Sequence, residues 1–201
     1  MRAWTVKDSA ELYNIQNWGA GYFRVNDLGH IEVTPGGVKP GGIDLQLLVE
    51  DLEARGIQLP ILLRFPGILQ SRVATLQGAF AEAITEYEYT GRYNPVYPIK
   101  VNQQRNLVEE LVRFAEPLGM GLEAGSKPEL LVVMSLLEQP GSLVVCNGYK
   151  DEEYLEAALL AKKLGKRAIV VVEKFSEFDA VLEVAERLDI EPSIGVRMRP
   201  S

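Results

Sequence analysis

A single lysine, Lys100, closes an apolar run over residues 95–101 in the stretch Tyr97-Pro98-Ile99-Lys100-Val101-Asn102, and a helix is expected to open just behind it near Gln104. A lysine at the end of a packed strand keeps its stem in an apolar wall and its amine at the mouth of a pocket, where desolvation lowers the amine's pKa and frees a nucleophile. That is what a Schiff-base lysine requires. The competing reading is a strand-end lysine that only extends its charge into water.

Other ionisable groups fall at equivalent places. The expected strands end near Glu123 and Ser126, near Asn147, Tyr149 and Lys150, near Glu173 and Lys174, and near Arg197 and Arg199. Parallel strands would gather these with Lys100 and Asn102 into one polar ring above an apolar wall. A rim of charged loop residues has the same composition, so the ring marks a site without naming its chemistry. Several other features read as structure. Gly36-Gly37 and Gly41-Gly42 lack a helix N-terminus at the spacing of a phosphate cradle and read as a linker. His30, the only histidine, reads as polar surface or a satisfied partner, and Cys146 as a small core residue. Ser126 and Glu129 suit helix capping. Tyr87 and Tyr89 suit packing or an interface.

Three regions must position these groups. Residues 1–42 form an arm and linker: Thr5 caps a short helix with Asp8 three residues on, and strands over 21–26 and 30–34 flank the turn Asn26-Asp27-Leu28-Gly29 as a hairpin. A lone hairpin is marginal in water, so the arm needs a larger body to pack on. Residues 43–92 are a helix–strand–helix lead-in. Asp44 is an N-cap, Leu45, Leu48, Val49 and Leu52 repeat at helical spacing up to Gly56, and 60–65 reads as a strand. After Pro66-Gly67 a long helix carries the inner stripe Leu69, Val73, Leu76, Phe80, Ile84 and Tyr87.

Across residues 93–201 apolar strands near 96–101, 120–124, 143–147, 168–172 and 194–198 recur about every 25 residues, the length of one strand, one helix and two short loops. The intervening helices have inner faces Leu107, Leu111, Phe114; Leu130, Val133, Leu137; Leu155, Ala158, Leu159; and Phe178, Val181, Leu182, Ala185. Ser126 with Glu129, Asp151, and Ser176 with Asp179 mark helix starts. Such alternation implies a parallel sheet with right-handed crossovers, and the regular period without a dinucleotide fingerprint favours an eight-fold barrel over an open doubly wound sheet. Pro98 removes a ladder donor, so either the strand begins nearer Ile99 or a bulge sits beside Lys100. Only about four and a half such units fit, so the chain is expected to be the front part of a longer protein. Alone it would expose an unpaired sheet edge and tend to aggregate.

Composition narrows the partners. The 201 residues are 47% hydrophobic and 24% charged, enough for one sizeable core. A net charge of -7 without a Lys/Arg cluster argues against nucleic acid and against anionic membrane, leaving small molecules. One cysteine permits no internal disulfide, and neither a signal peptide nor an apolar run near the roughly 18 residues of a span is present, so a soluble, cytoplasmic protein is expected.

Four blocks then carry a family resemblance. Tyr97-Pro98-Ile99-Lys100-Val101-Asn102-Gln103-Gln104-Arg105, Leu122-Glu123-Ala124-Gly125-Ser126-Lys127-Pro128-Glu129-Leu130, Cys146-Asn147-Gly148-Tyr149-Lys150-Asp151 and Tyr13-Asn14-Ile15-Gln16-Asn17-Trp18-Gly19-Ala20-Gly21-Tyr22-Phe23-Arg24-Val25-Asn26 resemble the biosynthetic arginine decarboxylase family, in register over essentially all of the chain. The resemblance implies an α/β fold, the first part of a (β/α)8 TIM-like barrel of the alanine-racemase type, whose N-terminal arm packs on a later β-domain. It also implies a cytoplasmic homo-oligomer that converts L-arginine to agmatine and carbon dioxide in polyamine synthesis. Pyridoxal 5'-phosphate is the implied cofactor, with Lys100 as its internal-aldimine lysine. Glu123 and Arg197 would line the cofactor site, against the simpler reading of Glu123 as a solvated strand-end carboxylate. Magnesium is implied by the family alone, with no ligand constellation in this sequence. The remaining cofactor contacts would lie beyond Ser201, so the chain by itself is expected to be inactive. Three rivals remain: a decarboxylase of ornithine or diaminopimelate; a non-catalytic pyridoxal-phosphate-binding barrel, against which the long segment before residue 60 speaks; and a barrel that is scaffold alone, with Lys100 inert.

Overall fold

The computed structural model describes residues 2–36 and 41–198, so Arg199 and residues 37–40 of the glycine-rich connection lie outside the described residues. The chain divides into two units, Met1–Leu76 and Gln77–Ser201.

In the first unit the expected capping box opens α1 (Val6–Leu12). The Asp8 carboxylate accepts from the Thr5 N–H at 2.8 Å, and the Thr5 hydroxyl oxygen accepts from the Asp8 N–H at 3.3 Å. After α2 (Ile15–Trp18), strands β1 (Phe23–Val25) and β2 (Ile31–Val33) pair antiparallel with Phe23 opposite Val33. Asn26 closes their turn, its side-chain oxygen accepting from the Leu28 and His30 N–H groups, both at 3.0 Å. The sequence reading missed a third strand, β3 (Ile43–Asp44), which pairs with β2 ahead of α3 (Leu45–Ala54).

Asp44 ends that strand and caps that helix. One carboxylate oxygen accepts from the Gln46 and Leu47 N–H groups; the other lies 2.9 Å from His30 Nδ1 and accepts from Asn26 at 2.8 Å. His30 is thus a satisfied partner. Burial pushes the Asp44 carboxyl up, but the Leu47 N–H, His30 and Asn26 outweigh it and hold it below the usual 3.8. Asp8 is lowered too, chiefly by the Thr5 hydroxyl. Groups depressed in the folded state contribute stability above their unfolded pKa and lose it as pH falls through the folded value. Both tryptophans, Trp4 and Trp18, lie in this unit. Their fluorescence should therefore report loosening as pH drops from about 5 to about 2. Asp8→Asn combined with Asp44→Asn should remove most of that step, and an unchanged acid response would refute the assignment.

Residues 60–65 are not a strand. No neighbouring chain among the described residues offers them a ladder, and they run irregularly into α4 (Pro66–Glu86), which crosses the division between the units. Of the expected α4 stripe only Val73 is fully buried. Leu76, Phe80 and Tyr87 are exposed, as is Tyr89, and Phe80 stacks on Tyr93 with ring centroids 3.6 Å apart.

The second unit bears out the parallel α/β reading. Its elements run β4 (Val96–Pro98), α5 (Arg105–Ala115), β5 (Gly121–Ala124), α6 (Lys127–Leu136), β6 (Leu143–Cys146), α7 (Glu152–Lys163), β7 (Arg167–Val172), α8 (Phe175–Leu188) and β8 (Ile194–Val196), and the strands pair in parallel in sequence order. Alternate strand residues sort by face. Leu122, Val144 and Val170 are buried in one core with Leu130, Leu155 and Val181 of the helices. Glu123, Val145 and Val171 belong to the other face.

Three local expectations need correction. The first strand stops at Pro98, and Ile99–Val101 form a 3-10 turn: proline, with no N–H to donate, ends the ladder there, so Lys100 sits on a turn. α8 starts at Phe175 with Lys174 at its N-cap, so Ser176 and Asp179 are not its caps; the Glu177 carboxylate reaches back to the Glu173 N–H at 2.8 Å instead. On α5 the buried apolar positions are Val108, Leu111 and Ala115, and on α8 Val181, Val184 and Ala185, which rotates both faces slightly from those expected.

Candidate functional site

A cleft of about 730 Å³ opens at the C-terminal ends of the strands of the second unit. Its floor is the face of the sheet that carries Pro98, Glu123, Val145 and Val171, and its rim carries Lys100, Asn147, Gly148 and Arg197. The register makes this floor continuous, with Pro98 beside Glu123 and Glu123 beside Val145.

Lys100 is not embedded in a packed wall as expected. Its side chain is 63% exposed, and its Nζ lies 3.9 Å from Glu123 Oε1. The turn, rather than the lysine stem, provides the anchoring: Ile99 is buried beneath it, and the Tyr97 hydroxyl donates to the Asn102 carbonyl at 3.3 Å. Asn102 has a local task, its side-chain oxygen accepting from the Gln104 N–H at 3.0 Å at the start of α5.

Glu123 is no solvated strand-end carboxylate, since its side chain is only 6% exposed. Its Oε1 accepts from Asn147 Nδ2 at 3.2 Å, while its buried Oε2 has no hydrogen-bond partner among the described residues. Leaving a buried acceptor unsatisfied costs about 1–3 kcal/mol, a cost that a donor on a bound molecule would remove. Arg197 stands across the cleft, its Nη1 donating to Glu173 Oε1 at 3.2 Å, with half its side chain exposed. Burial pushes the Glu173 carboxyl up, but Arg197, the Gly148 N–H and the Lys150 charge outweigh it and leave it below the usual carboxylate value.

The remaining members of the ring separate. Tyr149 is exposed, with Lys174 Nζ 5.5 Å from its ring centroid, and Lys150 turns into the protein. Ser126 caps α6, and Glu129 both accepts from the Gly125 N–H at 2.7 Å and lines the cleft, a second role that capping alone did not suggest. Cys146 is fully buried and its thiol is pushed up to about 11, chiefly by that burial, which removes it as a nucleophile. Beside it the Tyr154 hydroxyl contacts the Ala124 and Asn147 carbonyls at 3.0 and 3.2 Å, holding the ends of β5 and β6 together. Gly148 stands in the block from Cys146 to Asp151, with no structural task assigned to it by the sequence. Its φ is +77°, and a Cβ there would fall well inside 3.0 Å of the Gly125 carbonyl oxygen. Among the described residues no group of three His, Cys, Asp or Glu side chains could hold a metal.

Residues 73–201 match the family model for the pyridoxal binding domain of pyridoxal-dependent decarboxylases. The chain belongs to that family. Curated relatives include the biosynthetic arginine decarboxylases of Gloeobacter violaceus, 54% identical over 99% of this chain, and of Bacteroides thetaiotaomicron, 48% identical over 99%. A solved structure, the biosynthetic arginine decarboxylase of Campylobacter jejuni, superposes on 92% of the chain with a TM-score of 0.83 at 31% identity. The chain spans 31% of each of those two relatives and 30% of the solved chain.

The cleft of this pyridoxal-binding domain fits an aldehyde cofactor with an anionic tail. It offers one exposed amine, a carboxylate with a free buried oxygen beside that amine, and a guanidinium at the opposite rim.

Proposed function

We propose that this chain supplies the cofactor-holding part of a pyridoxal-phosphate-dependent decarboxylase that converts L-arginine to agmatine and carbon dioxide, with residues 93–201 as the binding part and 1–42 and 43–92 as arm and lead-in. The observation that carries this reading is the pair formed by the exposed Lys100 amine and the buried, half-satisfied Glu123 carboxylate 3.9 Å away. The arginine substrate rests on the arginine decarboxylases to which the chain is similar.

Lys100 is the residue that would hold the aldehyde carbon, since its amine is the one at the rim of the cleft. When bound, pyridoxal phosphate supplies an electron sink for the pair left behind by a departing carboxylate. Glu123 keeps the Lys100 ammonium directed at the cleft and reserves its second oxygen for a donor on the bound molecule. Asn147 fixes the rotation of that carboxylate through the bond to Oε1. Arg197, oriented by Glu173, presents positive charge to an anionic group. On the same reading the protein is a cytoplasmic homo-oligomer serving polyamine synthesis, and magnesium has no residues here to which we assign it.

Borohydride reduction in the presence of pyridoxal phosphate, followed by peptide mapping, should place the label on Lys100. Assays of the intact protein against arginine, ornithine, lysine and diaminopimelate should show decarboxylation of arginine foremost. A label on another lysine would remove the assignment of Lys100, and a preference for another amino acid would remove the substrate.

A further inference from the structure

We infer that Lys150 is a positioning residue whose buried ammonium ties the turn after β6 to the turn after β7 and so sets where Glu173 holds Arg197 at the rim of the cleft. This rests on the cleft being the cofactor site proposed above.

The Lys150 side chain is 0% exposed, so its amine can touch no ligand. Its Nζ donates to the Gly148 carbonyl at 2.6 Å and lies 3.6 Å from Glu177 Oε2, itself almost fully buried. That same Oε2 accepts from the Glu173 N–H at 2.8 Å. The Gly148 N–H in turn bonds the Glu173 carboxylate, and Glu173 Oε1 accepts from Arg197. One cation therefore fixes a carbonyl of the first turn and, through one carboxylate, an amide of the second, and the two turns are bonded to each other as well. Arg197 hangs from the last link of this chain. Gly148 also abuts Gly125, so the placement of the first turn passes on to the loop beyond Glu123.

Stability alone is a weak reason for such a pair. Buried ion pairs contribute about as much as well-packed apolar groups of the same volume, because desolvation offsets their attraction. An apolar pair could not fix the Gly148 carbonyl and the Glu173 amide in one geometry. That is the task the arrangement performs.

The test compares the intact protein with Lys150→Met and with Lys150→Met combined with Glu177→Met. The single change leaves a buried unpaired carboxylate and should lower the melting temperature sharply; the double change should recover most of it. Even so, the double variant should lose hydrogen-exchange protection at the Gly148 and Glu173 amides. Its affinity for pyridoxal phosphate should fall by about 10-fold or more, the scale seen when residues supporting first contacts are removed from metal sites. Adding Arg197→Met to the double variant should weaken binding little further, because both changes act through one guanidinium. Parent-like exchange at those two amides in the double variant would overturn the inference, and so would parent-like cofactor affinity. If the parent takes up no pyridoxal phosphate at Lys100, the proposed function falls, while the exchange comparison still decides whether Lys150 sets the rim. Should the double variant fail to fold, Lys150→Arg, which keeps a buried cation but moves its donors, is read by the same exchange and affinity measurements.

Discussion

Lys100→Ala should leave the fold intact and abolish the chemistry. The side chain is 63% exposed and its one ion pair is long, so the change in stability should stay within about 0.5 kcal/mol, as for surface substitutions elsewhere. Decarboxylation by the intact protein should drop by at least about 10⁴-fold, the scale for removing a group that bonds to the reacting molecule. Borohydride labelling should vanish with it. Thermal melting, activity and labelling together make the comparison decisive: a variant that melts like the parent yet keeps activity or label would show that another amine does the work. Lys150 is the obvious competitor, and its complete burial is why we reject it.

Gly148→Ala should be nearly as damaging, through the backbone. An L-residue at φ +77° costs about 1–2 kcal/mol by itself. The added methyl also meets the Gly125 carbonyl, which is backbone and cannot swing aside. The turns after β5 and β6 must then part, moving Asn147 away from Glu123 and loosening the rim. We expect a melting temperature several degrees lower, on the scale of about 2–4 °C per kcal/mol for a chain of this length. Decarboxylation by the intact protein should slow by a factor of about 10² if the displacement approaches 1 Å, and pyridoxal-phosphate binding should weaken with it. Parent-like binding and melting in this variant would mean that the close approach of the two turns is unimportant.

The strands and helices of the second unit were legible because period and composition agree there: short apolar runs, capped amphipathic helices and a regular repeat. Lys100, Glu123, Asn147 and Arg197 fall into one cleft because they share a position at strand ends, which sequence order alone can supply. Burial was harder to read. Lys100 was expected to be covered and is open, since Pro98 breaks the strand before it; Lys150 was expected at the rim and is sealed inside, since its partner Glu177 lies a whole strand away in sequence. β3 was missed because two residues carry no period, and residues 60–65 were overread because an apolar run forms a strand only when a neighbour completes the ladder. Gly148 carried no signal beyond being a glycine.

The two-sidedness of the sheet limits where this chain can change length. Glu123 opens to the cleft while Leu122 and Ala124 on either side of it lie beneath the helices. A single residue inserted within β5 ahead of Leu122 would exchange those sides, driving a carboxylate into oil and a leucine into the binding chamber. Additions in the connections between strands and helices carry no such inversion, so the family's freedom to vary should be concentrated there.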